Sequence, residues 1–107
     1  MKHIKSGVVS AGIEPGVLDG LITIALTYQV LGYDPVVTSI EDGKHMPTSL
    51  HYKKRAFDWR TNTVPATKRP SLKAEVQAAL GTEWDVVLEP THLHTEYDPD
   101  VKRTIPV

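Results

Sequence analysis

The sequence predicts an α+β domain, a small antiparallel sheet with flanking helices. Two observations carry this. One is a single apolar stretch with helical start and stop signals over residues 14–31. The other is a set of short β-branched or alternating segments near 36–39, 56–60, 84–89 and 93–97, separated by Gly, Pro and polar residues. At 107 residues the chain fits one domain, 1–107, able to bury a modest core without disulfides.

Pro15 suits the first turn of the first helix. Val17, Leu21, Ile24, Leu26 and Leu31 recur on a broad face that backs the sheet, and Gly32 is placed as a C-terminal stop. Tyr33-Asp34-Pro35 reads as a turn and Val36 to Ser39 as a β-branched strand. Glu41 to Tyr52 combines Gly, Pro and polar residues without periodicity and is expected to be loop, where sites tend to lie. Ala56-Phe57-Asp58-Trp59-Arg60 alternates, which sends Phe57 and Trp59 to the core and Ala56, Asp58 and Arg60 to the other face.

Thr61 to Pro70 is expected to be an exposed connection, followed by a short helix from about Ser71 to Leu80 that Gly81 closes. Trp84 to Glu89 and Leu93 to Tyr97 read as strands separated by Pro90-Thr91, with Leu93, Thr95 and Tyr97 on the core side, and the tail Asp98 to Val107 is expected to be irregular.

Composition narrows the function. The chain is 40% apolar and 23% charged, with 12 basic and 13 acidic residues for a formal net charge of −1, so nothing in it points to nucleic acid or an anionic membrane. The most apolar segment, Val17 to Leu31, is broken by Asp19, Gly20 and Gln29 and falls short of a membrane span. The N-terminus lacks the long apolar stretch of a secretory signal peptide. The expectation is therefore synthesis in the cytoplasm and, for an external target, delivery by other means. With no cysteine, any metal must be held by His and carboxylate.

Such residues fall in two clusters, His45, His51 and Asp58, then Glu89, His92, His94 and Glu96. A catalytic zinc uses three such ligands and leaves one position open for water. On one helix the seven-residue spacing of His51 and Asp58 would put their backbones about 10.5 Å apart, at roughly 1.5 Å per residue, so they must meet through a loop and a strand. His92, His94 and Glu96 alternate on one strand face. Taken singly these are ordinary: a His-x-His is more often a surface pair, Glu89 a solvated charge, and Lys53, Lys54 and Arg55 a solvated run. The joint pattern is not ordinary.

Ser49-Leu50-His51-Tyr52-Lys53-Lys54-Arg55-Ala56-Phe57-Asp58 resembles the Ser-x-His-x-x-Gly-x-Ala-x-Asp signature of the zinc D-Ala-D-Ala carboxypeptidase and L-alanyl-D-glutamate endopeptidase families, which share a fold with the hedgehog signalling domain. Glu89-Pro90-Thr91-His92-Leu93-His94 resembles their second signature, a His-x-His with an acidic residue shortly before it, and the resemblance covers about residues 17 to 98. It implies one zinc on His51, Asp58 and His94, with His92 beside the metal and Glu89 as general base. The glycine of the first signature is Lys54 here. Relatives with Glu-x-x-His use that histidine as the ligand, which leaves His92 as the alternative to His94.

The resemblance further implies a peptidoglycan stem peptide or precursor as substrate. A compact chain without a wall-binding repeat is similar to phage-encoded members, which act on the wall after release or as part of a virion; a bacterial trimming enzyme is the alternative origin. His45, Ser49 and Arg60 are candidates for binding the substrate, His45 and Arg60 by its carboxylate, and a monomer is expected. The rival functions are a non-catalytic zinc-stabilised binding module of the same fold and a metal-free domain with incidental histidines.

Overall fold

The computed structural model describes residues 14–42 and 54–99. In chain order these form helix α1 (Pro15–Val30), strand β1 (Val37–Asp42), strand β2 (Lys54–Arg60), a 3-10 turn (Ala66–Lys68), helix α2 (Arg69–Leu80), and strands β3 (Trp84–Leu88) and β4 (His92–Tyr97). The sheet runs β1-β2-β4-β3 with every neighbouring pair antiparallel, so the last strand is inserted between the second and third. The α+β class with a small antiparallel sheet is as the sequence predicts.

Both helices cover one face of the sheet, and among the described residues no helix lies on the other. Val17, Leu21, Ile24, Ala25 and Tyr28 of α1, Leu72 and Val76 of α2, and Phe57, Trp59, Trp84, Val86 and Leu93 of the sheet form one buried cluster. The predicted face of α1 needs one correction: Leu26 is 54% exposed. At about 100° per residue it lies half a turn round from Val17, which is buried. Leu31 is also exposed, because it is the capping residue beyond the last helical turn. Gly32 stops the helix as expected. Its φ of 88° lets its N–H reach the Gln29 carbonyl and the Tyr33 N–H reach that of Tyr28, a Schellman ending that needs a left-handed residue.

The predicted alternation in β2 and β4 holds. Phe57, Trp59, Leu93 and Thr95 are buried, while Asp58 and His94 take the opposite face. The Trp59 indole N–H donates to Thr95 Oγ1 at 3.1 Å, and the Thr95 hydroxyl donates to the Phe57 carbonyl at 3.0 Å, so a polar link ties the two strands from beneath. Tyr28, whose pKa burial pushes well above its ordinary value, donates its hydroxyl to the Arg60 carbonyl at 3.2 Å and holds α1 against the end of β2. At the other end, Arg55 Nε donates to Glu14 Oε1 at 2.7 Å, and its guanidinium lies 5.5 Å from the Tyr97 ring centroid.

Three boundaries differ from expectation. Glu41 and Asp42 belong to β1 and not to a loop, because their backbones pair with Ala56 and Lys54 across register irregularities that local sequence does not signal. The segment 61–70 is not wholly exposed: Thr61 and Val64 are buried, and the Val64 carbonyl accepts from Arg69 Nε at 3.0 Å. Helix α2 also begins two residues earlier than predicted, since Pro70 occupies its first turn, where a proline costs no hydrogen bond. At the end of the described chain, the Asp98 N–H donates to the Glu83 carbonyl at 2.7 Å and clasps the open end of the β3–β4 pair. Among the described residues no helix is long and apolar enough to cross a membrane.

At Gly20 helix α1 lies directly against the Trp84 side chain of β3, since a Cβ there would overlap the indole. Helix propensity alone makes alanine about 0.5–1 kcal/mol better than glycine inside a helix. Overpacking a filled site costs about 1–3 kcal/mol. The overlap should win, so Gly20→Ala is expected to lower the melting temperature; a melt at or above that of the wild type would mean the indole gives way without cost.

Candidate metal centre

The face of the sheet away from the helices is organised as rungs that cross the sheet. Asp58 of β2 pairs directly with His94 of β4, which pairs in turn with Val87 of β3. One rung towards the β3–β4 turn, Arg60 pairs with His92, and the Glu89 N–H donates to the His92 carbonyl at 2.9 Å, so Glu89, His92 and Arg60 share a rung. One rung the other way, Ala56, Glu96 and Asp85 lie side by side. Directly opposed residues of an antiparallel pair bring their Cβ atoms to roughly 4.5–5.5 Å. The register therefore makes Asp58 and His94 neighbours although 36 positions separate them.

The side chains follow. His94 Nδ1 lies 2.8 Å from Asp58 Oδ1, and His94 Nε2 lies 3.3 Å from Glu96 Oε1. His92 Nε2 is 3.6 Å from Asp58 Oδ1, and its Nδ1 is 3.0 Å from Thr91 Oγ1. Exposure falls steadily along this row, from 31% at His92 through 16% at Asp58 and 14% at His94 to 4% at Glu96. The row is open to solvent at the His92 end and closed at the Glu96 end.

Burial alone would lower the pKa of His94, but hydrogen bonds to Asp58 and Glu96 and the charges of both carboxylates outweigh it, and the net shift is upward. The imidazole thus lies between two anions. If its one neutral-form proton is on Nε2 towards Glu96, the Nδ1 lone pair faces an ionised Asp58 oxygen, and that contact is repulsive unless a cation lies between them. A second proton can serve, and so can a metal ion. Carboxylate and imidazole are also the donors zinc accepts where thiolate is lacking.

Asp58 and His94 therefore fit zinc by donor chemistry and adjacency. Among the described residues no group of three His, Asp or Glu side chains could hold a metal ion. The remaining predicted ligand, His51, lies outside the described residues, as do the substrate-binding candidates His45 and Ser49. Of the two histidines on β4, His94 has the nitrogen nearer Asp58, at 2.8 Å against 3.6 Å, while His92 flanks the same carboxylate from the exposed side. Arg60 is exposed at the end of β2, on the face and rung of His92.

The contribution of Glu96 was not legible in the sequence. Its place two residues after His94 on one strand face was visible, but its near-complete burial was not. Compared with protein-family models, curated proteins and solved structures, the chain matches none.

Proposed function

We propose that this chain is a zinc-dependent peptidase that hydrolyses peptide bonds in peptidoglycan stem peptides or their precursors, with a hedgehog/DD-peptidase type of fold. The observation that carries the reading is the Asp58–His94 pair, two zinc-type donors 2.8 Å apart on the sheet face away from the helices. The two family-like signatures add His51 as third ligand and name the substrate class. Bound there, zinc supplies Lewis-acid polarisation of a carbonyl and a water acidic enough to ionise near neutrality.

The protein's own groups do the rest. Glu89, on the rung of His92, takes the proton of the attacking water and returns it to the leaving amine. His92, the most exposed member of the row, donates a hydrogen bond to the oxygen that gains charge in the transition state. Arg60, beyond His92 on the same rung, pairs with a substrate carboxylate, for which guanidinium geometry is well suited; His45 and Ser49 complete the substrate contacts.

Digestion of purified peptidoglycan with mass analysis of the released peptides tests this. Peptides should appear with the zinc-loaded protein, disappear after chelation and return when zinc is added back. Release that ignores the chelator, or none from walls and isolated stem peptides alike, would sink the reading.

A further inference from the structure

The Glu96 carboxylate is the most enclosed member of the row, 4% exposed, and lies 3.3 Å from the His94 nitrogen that faces away from Asp58. A carboxylate taken out of water is costly unless its lone pairs are met by donors. An N–H on His94 Nε2 is such a donor. With a proton held at Nε2 towards Glu96 and a metal ion in place of a proton between His94 and Asp58, the lone pair lies on Nδ1, the nitrogen 2.8 Å from Asp58 Oδ1. Strand geometry places the three groups together, since His94 and Glu96 are two residues apart in β4 and stand on one face, with Asp58 across from His94 in β2.

We propose that Glu96 is a positioning residue for the metal centre, an outer carboxylate that keeps the proton on His94 Nε2 and so presents Nδ1 to the ion. The inference rests on the zinc reading of the Asp58–His94 pair and adds which nitrogen binds and what holds it. Outer partners of this kind change metal affinity by about 10- to 100-fold when removed. Glu96 touches neither metal nor substrate; its effect passes through the imidazole.

The test is a zinc titration against a competing chelating indicator on the full chain, for wild type, Glu96→Ala and Glu96→Gln. It is paired with long-range proton–nitrogen NMR of the zinc-loaded histidines, which reports the protonated ring nitrogen. Glu96→Ala should bind zinc about 10- to 100-fold more weakly. Glu96→Gln, whose amide oxygen still accepts from Nε2–H, should lie closer to wild type, and in both wild type and Glu96→Gln His94 should carry its proton on Nε2.

A folded Glu96→Ala protein with wild-type zinc affinity overturns the proposal. So does a zinc-loaded wild type whose His94 is protonated on Nδ1, and that readout decides the matter if Glu96→Ala fails to fold. If the wild type takes up no zinc in the same titration, the metal reading itself fails and this inference falls with it. Zinc bound normally but indifferent to Glu96 removes this inference alone.

Discussion

Asp58→Ala is expected to lose zinc and activity together. Asp58 is one of three proposed ligands, and the two histidines left behind rarely retain a metal that three groups hold. The fold should persist, because Asp58 lies on the sheet face away from the helices while the residues that bind the strand to the core, Phe57 and Trp59, point the other way. Metal analysis of the purified variant beside its circular dichroism separates these effects. Zinc should fall from about one per chain to background with the spectrum unchanged. His51→Ala is expected to behave alike. An Asp58→Ala protein that keeps its zinc would remove Asp58 from the ligand set.

Glu89→Gln should do the opposite to zinc and nearly as much to activity. A base is needed to take a proton from the attacking water, but not to hold the metal. Zinc content and folding should stay near wild type while turnover on peptidoglycan fragments falls by roughly 10² to 10⁴, the usual scale for removing a general acid or base. The backbone supports the separation: Glu89 joins the hairpin through its N–H to the His92 carbonyl, and the substitution leaves that bond in place. A variant that loses zinc as readily as Asp58→Ala would make Glu89 a ligand. One that keeps full activity would move the base elsewhere, with His92 next in line.

Where local chemistry decides, the sequence was informative. The Phe57-Asp58-Trp59 and Leu93-His94-Thr95 alternations divide core from site on both central strands, and Pro15 and Gly32 bracket the first helix, because strand pleat and helix termini are properties of neighbouring residues. What could not be read depends on distant partners. The extension of β1 through Asp42 is set by pairing with β2, and Val64 is buried because it joins the core cluster formed by distant elements. Leu26 misled because an apolar residue in an apolar helix gives no local sign of facing solvent.

The site was legible as a list and not as an arrangement. That Asp58 meets His94 follows from β4 lying between β2 and β3, an order absent from either motif alone. Glu96 resembled the solvated charges around it in the sequence, yet its side chain is 4% exposed. The readings of His45, Ser49 and His51 lie outside the described residues.

The indole-to-threonine link beneath the sheet joins the same two strands that carry Asp58 and His94 above it. A deletion or insertion of one residue within β2 would exchange the faces of everything beyond it, turning Asp58 into the apolar layer and Trp59 out to water. The ledger of heritable change is thus uneven. Length changes in these strands are expected to destroy the fold, whereas on the proposed zinc reading single substitutions at Asp58, Glu89 or His94 should leave a folded chain without activity. Inactive descendants of this protein should accordingly keep its strand lengths and differ at those positions.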